Sequence, residues 1–328
     1  MEITMSKTGI KVCSAAAIAA FTFLAPLANA APPATEILPS SSTQTVLSSE
    51  MRGAIEVAIG KVYPALVRIN VVTSYPNEGR ISKEAGSGSG AIISKEGHVI
   101  TNHHVAGRAK RALCRMPDGE EIEATLVGSD ALADIAILKL DLKGRKDPNK
   151  PLPVAAFGNS SKVRVGDRVL AMGSPMGMTQ TVTLGIVSNT ELMLPVFAES
   201  GFENDGEQTG SLVRWIGHDA SIYPGNSGGP LVSFDGEIIG INEVGLAGIG
   251  GAIPSDIAQS IAKQLIETGD VKRSWIGAGC QPRLKSASEE KGALICSVLP
   301  NSPAAKAGVL PGDLMLTFDG AATDARIL

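Results

Sequence analysis

Apolar residues fall mostly into short runs broken by glycine, the pattern of strands between tight turns rather than of long amphipathic helices. Leu66–Thr73, Gly90–Ser94, Ile122–Val127, Asp134–Leu140, Arg168–Gly173 and Thr181–Ser188 are strand-sized and rich in β-branched or apolar side chains. Within residues 229–242, Asp235-Gly236 lies between two apolar runs and predicts a two-residue hairpin. Such spacing, without intervening long helices, predicts an all-β sandwich or barrel over residues 51–269. One helix stands out at its end. Ser255 reads as its N-cap, Asp256 suits its positive end, Ile257, Ile261 and Leu265 repeat every fourth position, and Gly269 suits the C′ position. After a polar connector, a smaller unit from Trp275 contains strands at 276–280 and Ala293–Leu299, a short helix from Ser302-Pro303 to Gly308, and a strand at Leu314–Phe318.

The first thirty residues read differently. Lys7 and Lys11 precede the apolar tract Val12–Leu24, and Ala28-Asn29-Ala30 supplies small residues for cleavage, so residues 1–30 are expected to be an export signal. Residues 31–50, rich in Pro, Ser and Thr, are expected to be a mobile leader. Beyond the signal, no apolar run approaches the roughly 20 residues needed to cross a bilayer, so no integral membrane segment is expected. The 328 residues are 44% apolar and 19% charged, enough for a real core. A net charge of −4 with no Lys/Arg block argues against a nucleic-acid partner. Export brings an oxidising compartment, and Cys114, Cys280 and Cys296 remain after the signal. Cys280 and Cys296 lie in adjacent strand-like runs, where they could bridge or serve as two small buried hydrophobes.

The chemistry concentrates in Tyr223-Pro-Gly-Asn-Ser-Gly-Gly-Pro230. Glycines around Ser227 let the backbone turn tightly and aim N–H groups at a substrate carbonyl, where they can hold an oxyanion. A serine nucleophile needs a base, and the four histidines are His98, His103, His104 and His218. None follows Ser227, which excludes the Ser…Asp…His order of the α/β-hydrolases even though the run fits G-x-S-x-G. No aspartate precedes Asp118, so an Asp…His…Ser order lacks its orienting acid. The order His…Asp…Ser remains. Among the intervening aspartates, Asp134 opens the apolar run Ile135–Leu138, where an acid needs a partner; Asp130 is its rival. His103 and His104, read as neighbours on an extended segment, point to opposite sides, and only one can face the serine. His98, His103 and His104 lack the spacing of a zinc site, so neither metal nor cofactor is expected.

Taken together, GSGSGAIIS (86–94), VITNHHVAG (99–107), ADIAILKL (133–140), VGDRVLAMGSPMG (165–177), QTVTLGIVS (180–188), PGNSGGPLV (224–232) and EIIGIN (237–242) resemble the HtrA/Deg family of exported trypsin-like serine endoproteases. The resemblance implies two six-stranded antiparallel β-barrels of the chymotrypsin kind over residues 51–269. It assigns the base to His104, the orienting acid to Asp134 and the nucleophile to Ser227, with the N–H groups of Gly225 and Ser227 as oxyanion donors. It further implies a periplasmic or secreted protein acting in quality control and stress response on unfolded or damaged envelope proteins. A homotrimer or a multiple of it follows from the same resemblance. Residues 270–328, with LPNSPAAKAGVLPGDLMLTFDG (299–320), resemble the start of a PDZ domain whose groove helix would begin near Asp324. Tyr223, His218 and Gly251 depart from the family pattern; Tyr223, Gly251 and the incomplete PDZ unit motivate a second reading: a non-cleaving chaperone or scaffold for unfolded chains.

Overall fold

The computed structural model describes residues 48–77, 80–174, 181–193, 202–204, 207–210, 213–246, 248–282, 292–318 and 320–322. The expected export signal, residues 31–47 of the expected leader, and the position of Asp324 lie outside the described residues.

The chain enters on helix α1 (Ser49–Val62), whose N-terminus is capped by Ser48 Oγ accepting from Met51 N–H at 3.1 Å. Ala58 and Val62 turn inward onto the core, and the sequence reading, which began its β domain at residue 51, did not anticipate this helix. Strands β1 (Leu66–Asn77), β2 (Arg80–Ile92) and β3 (His98–Thr101) follow, then the single turn α2 (His103–Ala106). Strands β4 (Arg111–Arg115), β5 (Glu121–Asp130) and β6 (Ile135–Leu140) complete a closed antiparallel barrel in the order β1-β2-β3-β6-β5-β4. Alternation builds its inner face: Ala112 and Cys114 of β4 are buried while Arg111 and Arg115 point to water. Burial pushes the Cys114 thiol up to about 12, so it packs as an inert apolar group.

A second closed barrel uses β7 (Arg168–Gly173), β8 (Thr181–Leu192) and, after the short pair β9 (Phe202–Asn204) and β10 (Glu207–Thr209), β11 (Trp215–His218), β12 (Pro230–Ser233), β13 (Ile238–Leu246) and β14 (Ile249–Pro254). Its order is β11-β14-β13-β12-β7-β8. A hairpin joins β12 to β13 at the predicted place but not through a two-residue turn. The Gly236 N–H returns to Ser233 O at 3.0 Å, so Phe234 and Asp235 are the central turn residues and Gly236, at φ 75°, follows them as the left-handed residue before Glu237. Both expected barrels are therefore present, each with six strands. Leu170, Met172, Trp215 and Ile253 of the second barrel join the core of the first, so one apolar mass runs beneath the junction.

Helix α3 (Ser255–Thr268) packs on β5 and β6 of one barrel and on β13 and β14 of the other. Gly269 ends it at φ 77°, as its sequence suggests. Ser255 is not its N-cap. Pro254 holds that position, while the buried Ser255 hydroxyl donates to Gly158 O at 2.8 Å and pins the helix to the preceding loop. The C-terminal unit contains β15 (Ala278–Pro282), β16 (Ala293–Val298), α4 (Pro303–Lys306) and β17 (Leu314–Met315), with Ser302 capping α4 and the sheet ordered β15-β16-β17. Cys280 and Cys296 are free thiols here. Among the described residues, no helix is long and apolar enough to cross a membrane.

Candidate active site

Asp134 ends a turn immediately before β6 and is a non-glycine residue at positive φ, 51°. That conformation costs energy, and the surrounding bonds fix it. Its backbone N–H donates to Ala131 O at 3.0 Å, and its carbonyl accepts from His103 N–H at 3.1 Å and Asn102 Nδ2 at 2.9 Å. The carboxyl has no solvent exposure. Oδ1 accepts the His104 backbone N–H at 2.9 Å, and Oδ2 lies 2.7 Å from His104 Nδ1. A carboxylate on Nδ1 fixes the tautomer that leaves Nε2 as the basic nitrogen.

The two adjacent histidines occupy the first turn of α2 rather than an extended segment. Helical geometry still sends them in different directions: the His104 side chain keeps 19% exposure, whereas the His103 ring is buried beside Gly107. A Cβ on Gly107 would lie 2.2 Å from His103 Nδ1, so that glycine makes room for the ring. The rival acid has other duties. Asp130 accepts from Ala133 N–H at 2.8 Å and pairs with both terminal nitrogens of Arg273, tying the connector after α3 to the first barrel.

Ser227 approaches from the second barrel. Gly225 at φ 104° and Gly228 at φ 82° supply the turn geometry on either side of it. A Cβ at Gly228 would lie 2.2 Å from Thr101 Oγ1 and 2.3 Å from Ser89 O. The Ser227 carbonyl accepts Ser89 N–H at 2.8 Å, and Ser89 Oγ donates to Gly225 O at 2.6 Å. These contacts hold the 225–228 loop against β2, β3 and the start of α2, bringing His104, Asp134 and Ser227 to one junction between barrels. The N–H groups of Gly225 and Ser227 have no backbone acceptor among the described residues. The Ser227 hydroxyl donates to Glu243 O at 3.2 Å; no bond from it to His104 is formed among the described residues.

Glu243 was not singled out by sequence. It is the extra residue of a bulge in β13, between the pairs Asn242↔Ala252 and Val244↔Gly251, and bulges re-aim side chains beside functional sites. The residue is 4% exposed, and its carboxyl accepts the Trp215 indole N–H at Oε2 and lies within hydrogen-bond reach of Asp134. Burial, and then the charge of Asp134, hold its pKa well above the carboxylate range. A short acid in a run such as EIIGINEV reads as a solvent-facing strand position, so only the meeting of the barrels exposes its role. His218, one of the departures noted above, is buried on β11 against Gly250, and burial pulls its pKa down to about 4.

Comparison with known proteins agrees with this architecture. A sequence profile described as the trypsin-like peptidase domain matches residues 88–241. A probable periplasmic serine endoprotease DegP-like of Pseudomonas fulva (strain 12-X) is 38% identical over 94% of this chain and 64% of its own length. A protein of the same description from Hahella chejuensis (strain KCTC 2396) is 40% identical over 75% of this chain and 51% of its own. The chain thus spans between half and two thirds of the length of these curated relatives. The solved structure of the HtrA-type protease AlgW with tripeptide superposes with a TM-score of 0.63 at 35% identity, covering 83% of this chain and 85% of that one.

Proposed function

The chain belongs to the HtrA-type trypsin-like peptidases, and on that premise we propose that it is a serine endopeptidase of the bacterial envelope, with Ser227, His104 and Asp134 as its catalytic triad. The observation that carries this reading is the 2.7 Å contact of the buried Asp134 with His104 Nδ1 at the junction that also receives Ser227. Rotation about χ1 moves the Ser227 hydroxyl from the Glu243 carbonyl to His104 Nε2. His104 then takes the proton as Ser227 Oγ attacks the peptide carbonyl. The N–H groups of Gly225 and Ser227 receive the oxyanion, and Asp134 stabilises the imidazolium. His104 returns the proton to the leaving amine, and water, activated by the same imidazole, releases the acyl-enzyme.

The proposed substrates are unfolded or damaged proteins of the periplasm, cut after small aliphatic residues, by a homotrimer or a multiple of it. The resemblance to the HtrA/Deg family supports these points. The same resemblance supports reading residues 270–328 as the first part of a PDZ-like unit, and the order of β15, β16, α4 and β17 is consistent with it.

The bond from Ser227 to Glu243, in place of one to His104, favours a second reading in which the barrels hold unfolded chains without cutting them. Casein degradation by the wild type and by Ser227→Ala separates the two. Cleavage lost in Ser227→Ala supports the endopeptidase. If neither protein cleaves while both suppress aggregation, the chaperone reading replaces it.

A further inference from the structure

Two buried carboxyl groups meet behind the proposed base. Asp134 presents its oxygens to His104, and Glu243 reaches it from the opposite barrel. Glu243 Oε2 takes the Trp215 indole N–H, while Oε1 has no donor among the described residues. Gly210, at φ 66°, backs that oxygen closely: a Cβ there would lie 2.3 Å from Oε1. Asp134 is the charged neighbour of Glu243, and Asp134 in turn holds His104 Nδ1 at 2.7 Å. Two carboxylates sharing one dry site cannot both ionise without a large penalty, whereas one proton between them converts repulsion into a hydrogen bond.

We propose that Glu243 carries that proton and donates it to Asp134, making Glu243 the positioning residue that locks the His104–Asp134 pair from behind. Asp134 has lone pairs to spare for a third donor beside the His104 backbone N–H and Nδ1–H. The bulge serves two ends: it aims the carboxyl at Asp134 and the Glu243 carbonyl at the Ser227 hydroxyl. One residue therefore touches both the orienting acid and the nucleophile, and a shift of β13 would move them together. The inference rests on the endopeptidase reading for its kinetic consequence, but the protonation state is a property of the folded chain alone.

Two measurements test it. In wild type labelled with ¹³C at glutamate carboxyls, NMR at pH 7 is expected to contain one protonated glutamate resonance, which is absent in Glu243→Gln. If every glutamate carboxyl is ionised at pH 7, the proposal is overturned whether or not the protein cleaves peptides. In peptide hydrolysis, Glu243→Leu is expected to lower kcat about tenfold or more with KM little changed, the size expected for losing one hydrogen bond to a charged acceptor. Glu243→Gln, whose amide still donates, is expected to recover most of that loss. Equal loss in both variants, or a change confined to KM, contradicts the positioning role. Absent hydrolysis in wild type contradicts the endopeptidase reading and leaves the NMR result to decide on the carboxyl pair.

Discussion

Ser89 on β2 of the first barrel donates its hydroxyl to the Gly225 carbonyl of the second at 2.6 Å, while its Oγ accepts the Ser174 N–H at 2.8 Å. The nucleophile loop thereby takes its position from a strand of the other barrel. Ser89→Ala leaves the half-buried Gly225 carbonyl and the buried Ser174 N–H without these partners. The expected cost is about 1–3 kcal/mol of stability, together with a lowered kcat. Urea denaturation and peptide hydrolysis, measured on the same preparation, check both.

Gly228→Ala is expected to be more damaging. Its φ of 82° disfavours any side chain, and the added methyl meets Thr101 Oγ1 and the Ser89 carbonyl. Hydrolysis should vanish, and the melting temperature should fall by several degrees, a drop that calorimetry reads directly.

Asp134→Asn keeps the shape of the orienting group but presents a donor where Nδ1–H needs an acceptor. The expected loss in kcat is on the order of 10³- to 10⁴-fold, with the fold retained. Asp130→Asn, which loosens the Arg273 pair, should leave the hydrolysis of small peptides near wild type. Comparison of kcat for the two variants tests the assignment of the acid.

Two buried groups make opposite contributions to stability against pH. His218 stays neutral in the fold down to about 4, whereas the unfolded chain protonates near 6.5. The unfolded state therefore binds more protons between those values, and stability falls as pH drops through that window, by on the order of 3 kcal/mol in all. His218→Thr should flatten this acid limb. Glu243 behaves inversely: it keeps its proton in the fold above 4.5, where the unfolded chain releases it, so stability falls as pH rises from there. Glu243→Gln should flatten that slope. Urea midpoints from pH 4 to pH 8 for the three proteins check both signs.

Much of the fold was legible because local pattern and tertiary use agree. Arg168–Gly173 is read as a strand and is β7 at the same bounds, and Asp235-Gly236 marks the hairpin correctly, although the loop is longer than the two residues read from it. Helix α1 was missed because Gly53, Gly60 and its β-branched residues blur a helical period; burial of Ala58 and Val62 selects it. The order of histidine, aspartate and serine along the chain narrows the chemistry before any contact is known. Glu243 stayed hidden for the opposite reason. Its partners Asp134, Trp215 and Ser227 are distant in sequence, and nothing local marks a strand glutamate as buried.

The central claim is that His104 activates Ser227. Labelling with a serine-directed sulfonyl fluoride, followed by peptide mapping, tests it most directly. The account predicts one adduct, on Ser227, that disappears in His104→Ala while the variant remains folded. An adduct on another serine, or labelling of Ser227 that is indifferent to the loss of His104, would contradict it.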